Sequence, residues 1–244
     1  MAMTEAAILG AAEKAARLDV EFAGMDTPEL MRAVIADLFP GRIALVSSFG
    51  ADSAVLLHMA ALIDKATPVL FIDTQLLFKE TLAYRDTLVA HLGLTNVIAL
   101  TPKPQRLAAE DPENFLWASD PDRCCEIRKV IPMAEALEGY DAWITGRKRF
   151  QGRTRAALAL IEAEAGRIKV NPLAHWPADK ITGYLDAFAL PRHPLVAKGY
   201  LSIGCIPCTS PVKPGEDPRA GRWRERAKVE CGLHTLPLYA GADI

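Results

Sequence analysis

The sequence predicts an α/β protein in which a parallel, twisted sheet is flanked by helices and followed by a less regular C-terminal segment. Three observations carry that expectation. Short branched apolar runs alternate with longer stretches of helical period from Arg42 to Thr145, and such alternation builds a parallel sheet covered on both faces. Proline becomes frequent from about Lys169 onward, through Pro172, Pro177, Pro191, Pro194, Pro207, Pro211, Pro214 and Pro218, which breaks long regular elements. The 244 residues, 50% of them hydrophobic, suffice for a sizeable core.

Taken in order, residues 4 to 19 are alanine-rich with scattered charge and read as a helix. Residues 27 to 39 read as another, with Thr27 as N-cap and Pro28 as the first helical residue. Arg42 to Ser48 is a branched apolar run between Pro40-Gly41 and Phe49-Gly50, as a buried strand would be. Ser53 to Lys65 follows as a helix, its Val55, Leu56, Met59, Leu62 and Ile63 at helical spacing. The pattern repeats with Val69 to Ile72 as strand, Leu77 to Leu92 as helix and Val97 to Leu100 as strand. A cysteine-bearing helix runs to about Leu137, and Ala142 to Thr145 is a further strand. Parallel sheets bind ligands at the carboxyl ends of their strands, so function is expected in the loops after Ser47, Ile72, Leu100 and Thr145. The whole reads as one domain: N-terminal helices over 1–39, an α/β core over 40–168, and a segment over 169–244 packed on that core.

The formal net charge of −2 argues against a general binder of nucleic acid or membranes. No apolar run is long enough to cross a bilayer, and Glu5, Glu13 and Lys14 among alanines lack the layout of a signal peptide. A cytoplasmic protein is expected. Five cysteines, an odd number, suit a reducing compartment with four ligands and one free thiol better than a disulfide framework.

Cys124 and Cys125 are adjacent, and a disulfide closed across one peptide bond is strained, so a shared metal centre explains them better. Cys205 and Cys208 supply a second pair with a two-residue gap, which lets both thiolates face one ion or cluster. Residue types and spacing leave zinc and iron-sulfur both open. If the first pair opens a helix, Lys129 lies four residues after Cys125 on the same face, where its charge would lower thiol pKa values. Two unrelated pairs of buried thiols are the plainer alternative, which the ligand spacing disfavours. Cys231, between Lys228 and His234, reads either as an accessible, acidified nucleophile or as a small core hydrophobe.

Anion sites are the third signal. Ser47 to Ser53 hands a strand over to a helix N-terminus through serines and Gly50, where amides and the helix dipole favour phosphate or sulfate. It is neither a Walker loop nor a dinucleotide fingerprint. Gly146 to Arg155 concentrates five cations after a strand end, and arginine's fork matches oxyanions; a solvated loop is the alternative. Arg219 and Arg222, if helical, share a face.

Together, Cys124-Cys125, the Cys205 and Cys208 pair, and Glu230-Cys231-Gly232-Leu233-His234 resemble the adenylyl-sulfate (APS) reductase branch of the phosphoadenylyl-sulfate (PAPS) reductase family. The resemblance spans about residues 40 to 235. It implies an adenine nucleotide alpha hydrolase-like (PP-loop) fold and one [4Fe-4S] cluster on Cys124, Cys125, Cys205 and Cys208. It places Lys129 between cluster and substrate. Ser48, Gly50 and Ser53 fall in a modified PP-loop, and Arg155 beside Thr154, Arg219 and Arg222 look similar to positions at the phosphosulfate end. Phe49 stands where the PP-loop pattern has its first glycine, which counts against ATP pyrophosphatase activity. The implied reaction is thioredoxin-dependent reduction of APS to sulfite and AMP, with Cys231 as catalytic nucleophile and S-sulfocysteine as intermediate, in sulfate assimilation and cysteine biosynthesis. Implied partners are APS and thioredoxin or glutaredoxin, with no nucleic acid and no membrane; a homo-oligomer is compatible. Competing readings are a PAPS reductase, a zinc- or iron-sulfur-containing PP-loop protein acting on tRNA, and a non-catalytic iron-sulfur protein with an inert Cys231.

Overall fold

The strands β1 Ile43–Ser47, β2 Val69–Ile72, β3 Val97–Leu100, β4 Ala142–Ile144, β5 Ile161–Glu164 and β6 Arg167–Val170 form one sheet in the computed structural model, which describes residues 5–236. The strand order is β3-β2-β1-β4-β6-β5. Every pairing is parallel except the β5–β6 hairpin. The alternation of side chains along a strand sends Ile43 and Leu45 of β1, and Val69 and Phe71 of β2, to one face. Ala44, Leu70, Ile72 and Trp143 point to the other. Both faces are buried, which is why these strands read as continuous apolar runs.

Helices α1 Glu5–Glu21, α2 Thr27–Arg32, α3 Ser53–Ile63, α4 Lys79–Leu92, α5 Pro104–Glu110, α6 Leu116–Ser119, α7 Pro121–Cys125, α8 Ile131–Leu137 and α9 Ala178–Ala187 accompany the sheet. The first core face is covered by residues of α1, α2, α3, α4 and α9, the second by α8. Residue 4, expected to begin the first helix, lies outside the described residues. Asp26, not Thr27, caps α2: its carboxylate accepts the Glu29 amide at 2.8 Å. Thr27 is already helical and its hydroxyl accepts from the Trp176 indole at 2.8 Å.

Between α7 and α8 the chain makes a π-helical turn over Glu126–Val130. Pro132 lies in the first turn of α8 and has no amide for the Arg128 carbonyl, so the ladder widens just upstream of it. The expected single helix from the cysteines to Leu137 is therefore one axis with two phases.

The segment from Lys169 is less regular, as expected: Lys169 itself lies in β6, α9 follows, and only short turns come after it among the described residues. The hairpin strands are four residues each, carry charges at alternate positions, and are joined by Ala165-Gly166, both with positive φ (47° and 71°), the geometry of a tight hairpin turn.

Candidate active site

The chain leaves β1 for β2 on one side and later returns as β4 on the other. This switch opens a crevice at the carboxyl ends of β1 and β4, the place where open α/β sheets bind ligands. A pocket lies there, lined by Ser47 at the end of β1, by Ser48, Gly50 and Asp52 of the loop and Ser53 at the start of α3, and by Thr145, Gly146, Arg147 and Lys148 after β4. Lys129, Arg155, Cys205, Arg219, Arg222 and Cys231 complete its wall. Ser48, Gly50, Ser53, Lys129, Arg155, Arg219 and Arg222, marked for substrate, thus meet Cys231 in one cavity, whereas Thr154 and Arg149 do not line it. The loops after β1, β2 and β4 contribute as expected; among the described residues, the loop after Leu100 does not.

The β1–α3 loop is held by its own side chains. Phe49 adopts φ 47°, donates its amide to Ser47 Oγ at 3.1 Å, and is buried edge-on against Phe71, ring centroids 5.3 Å apart. The residue that departs from the PP-loop glycine is thus an apolar plug beneath the loop. Lys148 Nζ reaches Asp52 at 2.8 Å and pins the loop to the end of β4.

All five cysteines are free, and the four expected ligands are buried. Cys125, Cys205, Cys208 and Trp223 pack as one group with Cys231 against it. Cys124, the buried neighbour of Cys125 in α7, is within electrostatic influence of Cys205 and Cys208. Among the described residues, no three His, Cys, Asp or Glu side chains close around a point the size of one metal ion. Local bonds set the two pairs face to face. The Ile206 amide donates to Leu76 O at 2.8 Å, placing the Cys205 turn beside the β2–α4 loop. Arg128, buried in the π turn, donates to Thr74 O at 3.1 Å and pairs with Asp111 at 2.6 Å. Thr74 Oγ1 lies 3.2 Å from Cys205 Sγ.

Burial, together with the neighbouring Cys125, pushes the Cys124 thiol up to about 12. Cys125 and Cys208 are likewise raised by burial. Lys129 lowers Cys125 as expected, but burial outweighs it. Cys231 behaves differently: burial would raise its pKa, yet Lys129, the Leu233 amide and Arg222 together bring it below the ordinary thiol value. Lys129, only 7% exposed, keeps its proton because the sulfurs of Cys205, Cys231 and Cys125 overcome the desolvation that would remove it.

Arg219 and Arg222 are not helical. The Arg222 amide donates to Arg219 O at 2.8 Å, closing a turn, and Arg222 bridges Thr209 in strand fashion. A side chain at Gly221 would collide with the Ser210 carbonyl, so the chain passes too close to that segment to coil. Arg222 lies flat across Gly204, where a Cβ would sit 2.6 Å from its Cζ, and over the Trp223 ring at 4.4 Å. Arg155 grips Glu230, and Arg219 joins that carboxylate at 3.2 Å.

Sequence reasoning missed Thr74, the Asp52–Lys148 pair, and Glu230 as a partner of the arginines. The position of Thr74 two residues past β2 was the available signal. Nothing in the sequence announced that Glu230 would fold back over 75 residues.

Fold and pocket together define a protein of the PP-loop, adenine nucleotide alpha hydrolase-like class. The phosphoadenosine phosphosulfate reductase domain matches residues 42–211, and the chain belongs to that family. Adenosine 5'-phosphosulfate reductase of Mesorhizobium japonicum is 54% identical over 229 residues, covering 94% of this chain and 90% of its own. The enzyme of the same name from Chelativorans sp. is 58% identical over 200 residues, covering 82% of each. Among solved structures, the phosphoadenylyl-sulfate (PAPS) reductase of Candida auris superposes with TM-score 0.67 at 27% identity, covering 87% of this chain and 99% of that one. Yeast FAD synthetase shares the fold alone, with TM-score 0.53 at 18% identity over 83% of this chain and 75% of that one.

No helix among the described residues is long and apolar enough to cross a membrane.

Proposed function

We propose that this protein is an assimilatory adenylyl-sulfate reductase of the cytoplasm, making sulfite and AMP at the expense of thioredoxin or glutaredoxin. The observation that carries the reading is the placement of Cys231 in the same pocket as Lys129, Arg155, Arg219 and Arg222. The relatives named adenosine 5'-phosphosulfate reductase support APS as the nucleotide.

In this reading the PP-loop amides after Ser48, with Gly50 and Ser53, hold the nucleotide's phosphate, and the arginines hold its sulfate end. The Cys231 thiolate attacks the sulfate sulfur. An S–S bond forms, the S–O bond to phosphate breaks, and its electron pair leaves with AMP. Lys129 neutralises charge where anionic nucleophile meets anionic substrate. A thiolate of the dithiol partner then attacks the Cys231 sulfur. Sulfite departs with the S–S electron pair, and the partner's second thiol returns Cys231 to the thiol state while the partner becomes a disulfide.

Four free, buried thiols, two from the end of α7 and two from the turn of Cys205 and Cys208, beside a protonated lysine and lacking disulfide partners, are a donor set that fits one [4Fe-4S] cluster. Cys124, Cys125, Cys205 and Cys208 would hold it. When bound it would supply a fixed charge distribution beside the sulfate and tie α7 to the turn of Cys205 and Cys208.

The test is intact mass of anaerobically prepared protein after incubation with APS or PAPS without reductant. A sulfonate mapped to Cys231 from APS, absent in Cys231→Ser, is expected. Adduct from PAPS alone would reassign the nucleotide. No adduct from either, on protein with its iron and sulfide present, would reject the reductase reading.

A further inference from the structure

The hairpin β5–β6 carries charges that the proposed chemistry does not use. Lys169 is 1% exposed, an expensive place for an ammonium. Its Nζ contacts Glu162 Oε1 at 3.2 Å and Glu164 Oε2 at 3.3 Å, and lies 5.1 Å from the centre of the Trp143 ring. Its remaining bond leaves the hairpin altogether: Nζ donates to the His234 carbonyl at 3.0 Å. Glu164 does the same with opposite polarity, its Oε1 accepting the Leu236 amide at 2.8 Å. The His234 ring lies parallel to Trp143, within 3° at 5.9 Å, and Leu236 is buried in the cluster around Trp143 and α8.

We propose that Glu164 and Lys169 are positioning residues that clasp the backbone of residues 234–236 and thereby hold Cys231 in the pocket. The clasp grips main-chain atoms, so it fixes the path of the tail and not any one side chain. It lies on the C-terminal side of Cys231. On the N-terminal side Glu230 sits on Arg155 and Arg219, the arginines that the substrate would also seek, and Lys228 pairs with Asp122. An anion that took those arginines would release Glu230, the residue next to Cys231; the hairpin keeps the segment beyond Cys231 seated through that exchange. Opening the clasp is then the step that presents Cys231 to a protein thiol.

The inference rests on Cys231 being the nucleophile, and its test has a readout that does not. Glu164→Ala and Lys169→Met are compared with the parent protein for the rate at which iodoacetamide modifies Cys231, read by peptide mass with no nucleotide present. A rise of about tenfold or more is expected, the effect of one lost charge-assisted hydrogen bond on local opening. With APS, formation of the Cys231 sulfonate should slow, whereas discharge of preformed sulfonate by thioredoxin should quicken. A merely structural defect would slow both. Unchanged Cys231 modification in Glu164→Ala, at an unchanged melting temperature, overturns the clasp, and Glu164→Ala decides alone if Lys169→Met does not fold. Failure of the parent protein to form any sulfonate would sink the reductase reading and leave the modification arm still able to test the clasp.

Discussion

Arg155 holds Glu230 with two prongs, Nε to Oε1 at 2.7 Å and Nη2 to Oε2 at 2.9 Å, one residue before Cys231. The fork geometry matches a carboxylate as well as it would an oxyanion of substrate. The two guests compete for one host. Glu230→Gln should therefore bind nucleotide more tightly yet form the Cys231 sulfonate about tenfold to a hundredfold more slowly, as expected for losing a charge-assisted pair. Equilibrium binding of AMP and single-turnover sulfonation measure the two effects separately; a loss of both would mean that Glu230 is simply structural.

Lys129 is the cation nearest in effect to Cys231, since it is the largest influence opposing burial on that thiol. Lys129→Gln should match the parent protein in iron and sulfide content but slow sulfonation by about a hundredfold or more, the scale seen when one preorganised donor to developing charge is removed. A normal single-turnover rate in an iron-replete variant would refute this role.

Gly204 precedes Cys205 and lies under the Arg222 guanidinium. A methyl group there must displace Arg222, because the backbone of the Cys205 turn is fixed by its bond to Leu76 O. Gly204→Ala should therefore behave like Arg222→Ala in sulfonation assays, and the double variant should be no worse than either single. Additive losses would separate the two residues.

His193 gives stability a pH dependence. Burial holds its imidazole down to about 4, with Glu80 pulling the other way. Nε2 meets Thr81 Oγ1 at 3.0 Å, and Nδ1 accepts the Leu195 amide at 3.2 Å, so protonating the ring would break the latter bond. The unfolded chain takes up this proton below about pH 6.5 while the folded one refuses it until about 4. The contribution is thus complete above pH 6.5 and is lost as pH falls towards 4, by roughly 3 kcal/mol in all. Urea titrations across that window should show a shallower slope in His193→Gln than in the parent protein.

The core strands were legible because burial on both faces forces unbroken branched apolar runs such as Val69 to Ile72, with Val97 to Leu100 standing out at the edge. The hairpin was not, because Glu162, Glu164 and Lys169 place charge where a core strand would show apolar residues; those charges serve one another and the tail. The π turn was hidden for a similar reason. One proline in Ile131–Leu137 forbids a bond whose loss the sequence does not show being taken up upstream. Cysteines and arginines could be nominated from residue type and spacing, but the bond from Arg155 to Glu230 depends on how a tail folds back, which no local pattern encodes.

The wide turn at Glu126–Val130 also fixes what insertions and deletions this stretch can tolerate. It holds Cys124 and Cys125 in one rotational phase and the sheet-facing Val130, Met133 and Leu137 in another. Each residue of an α-helix advances the phase by about 100°. A single-residue deletion that restored regular coiling would leave the apolar face seated and swing both thiols away from Cys205 and Cys208. Point substitutions along this stretch can drift, but its length is locked.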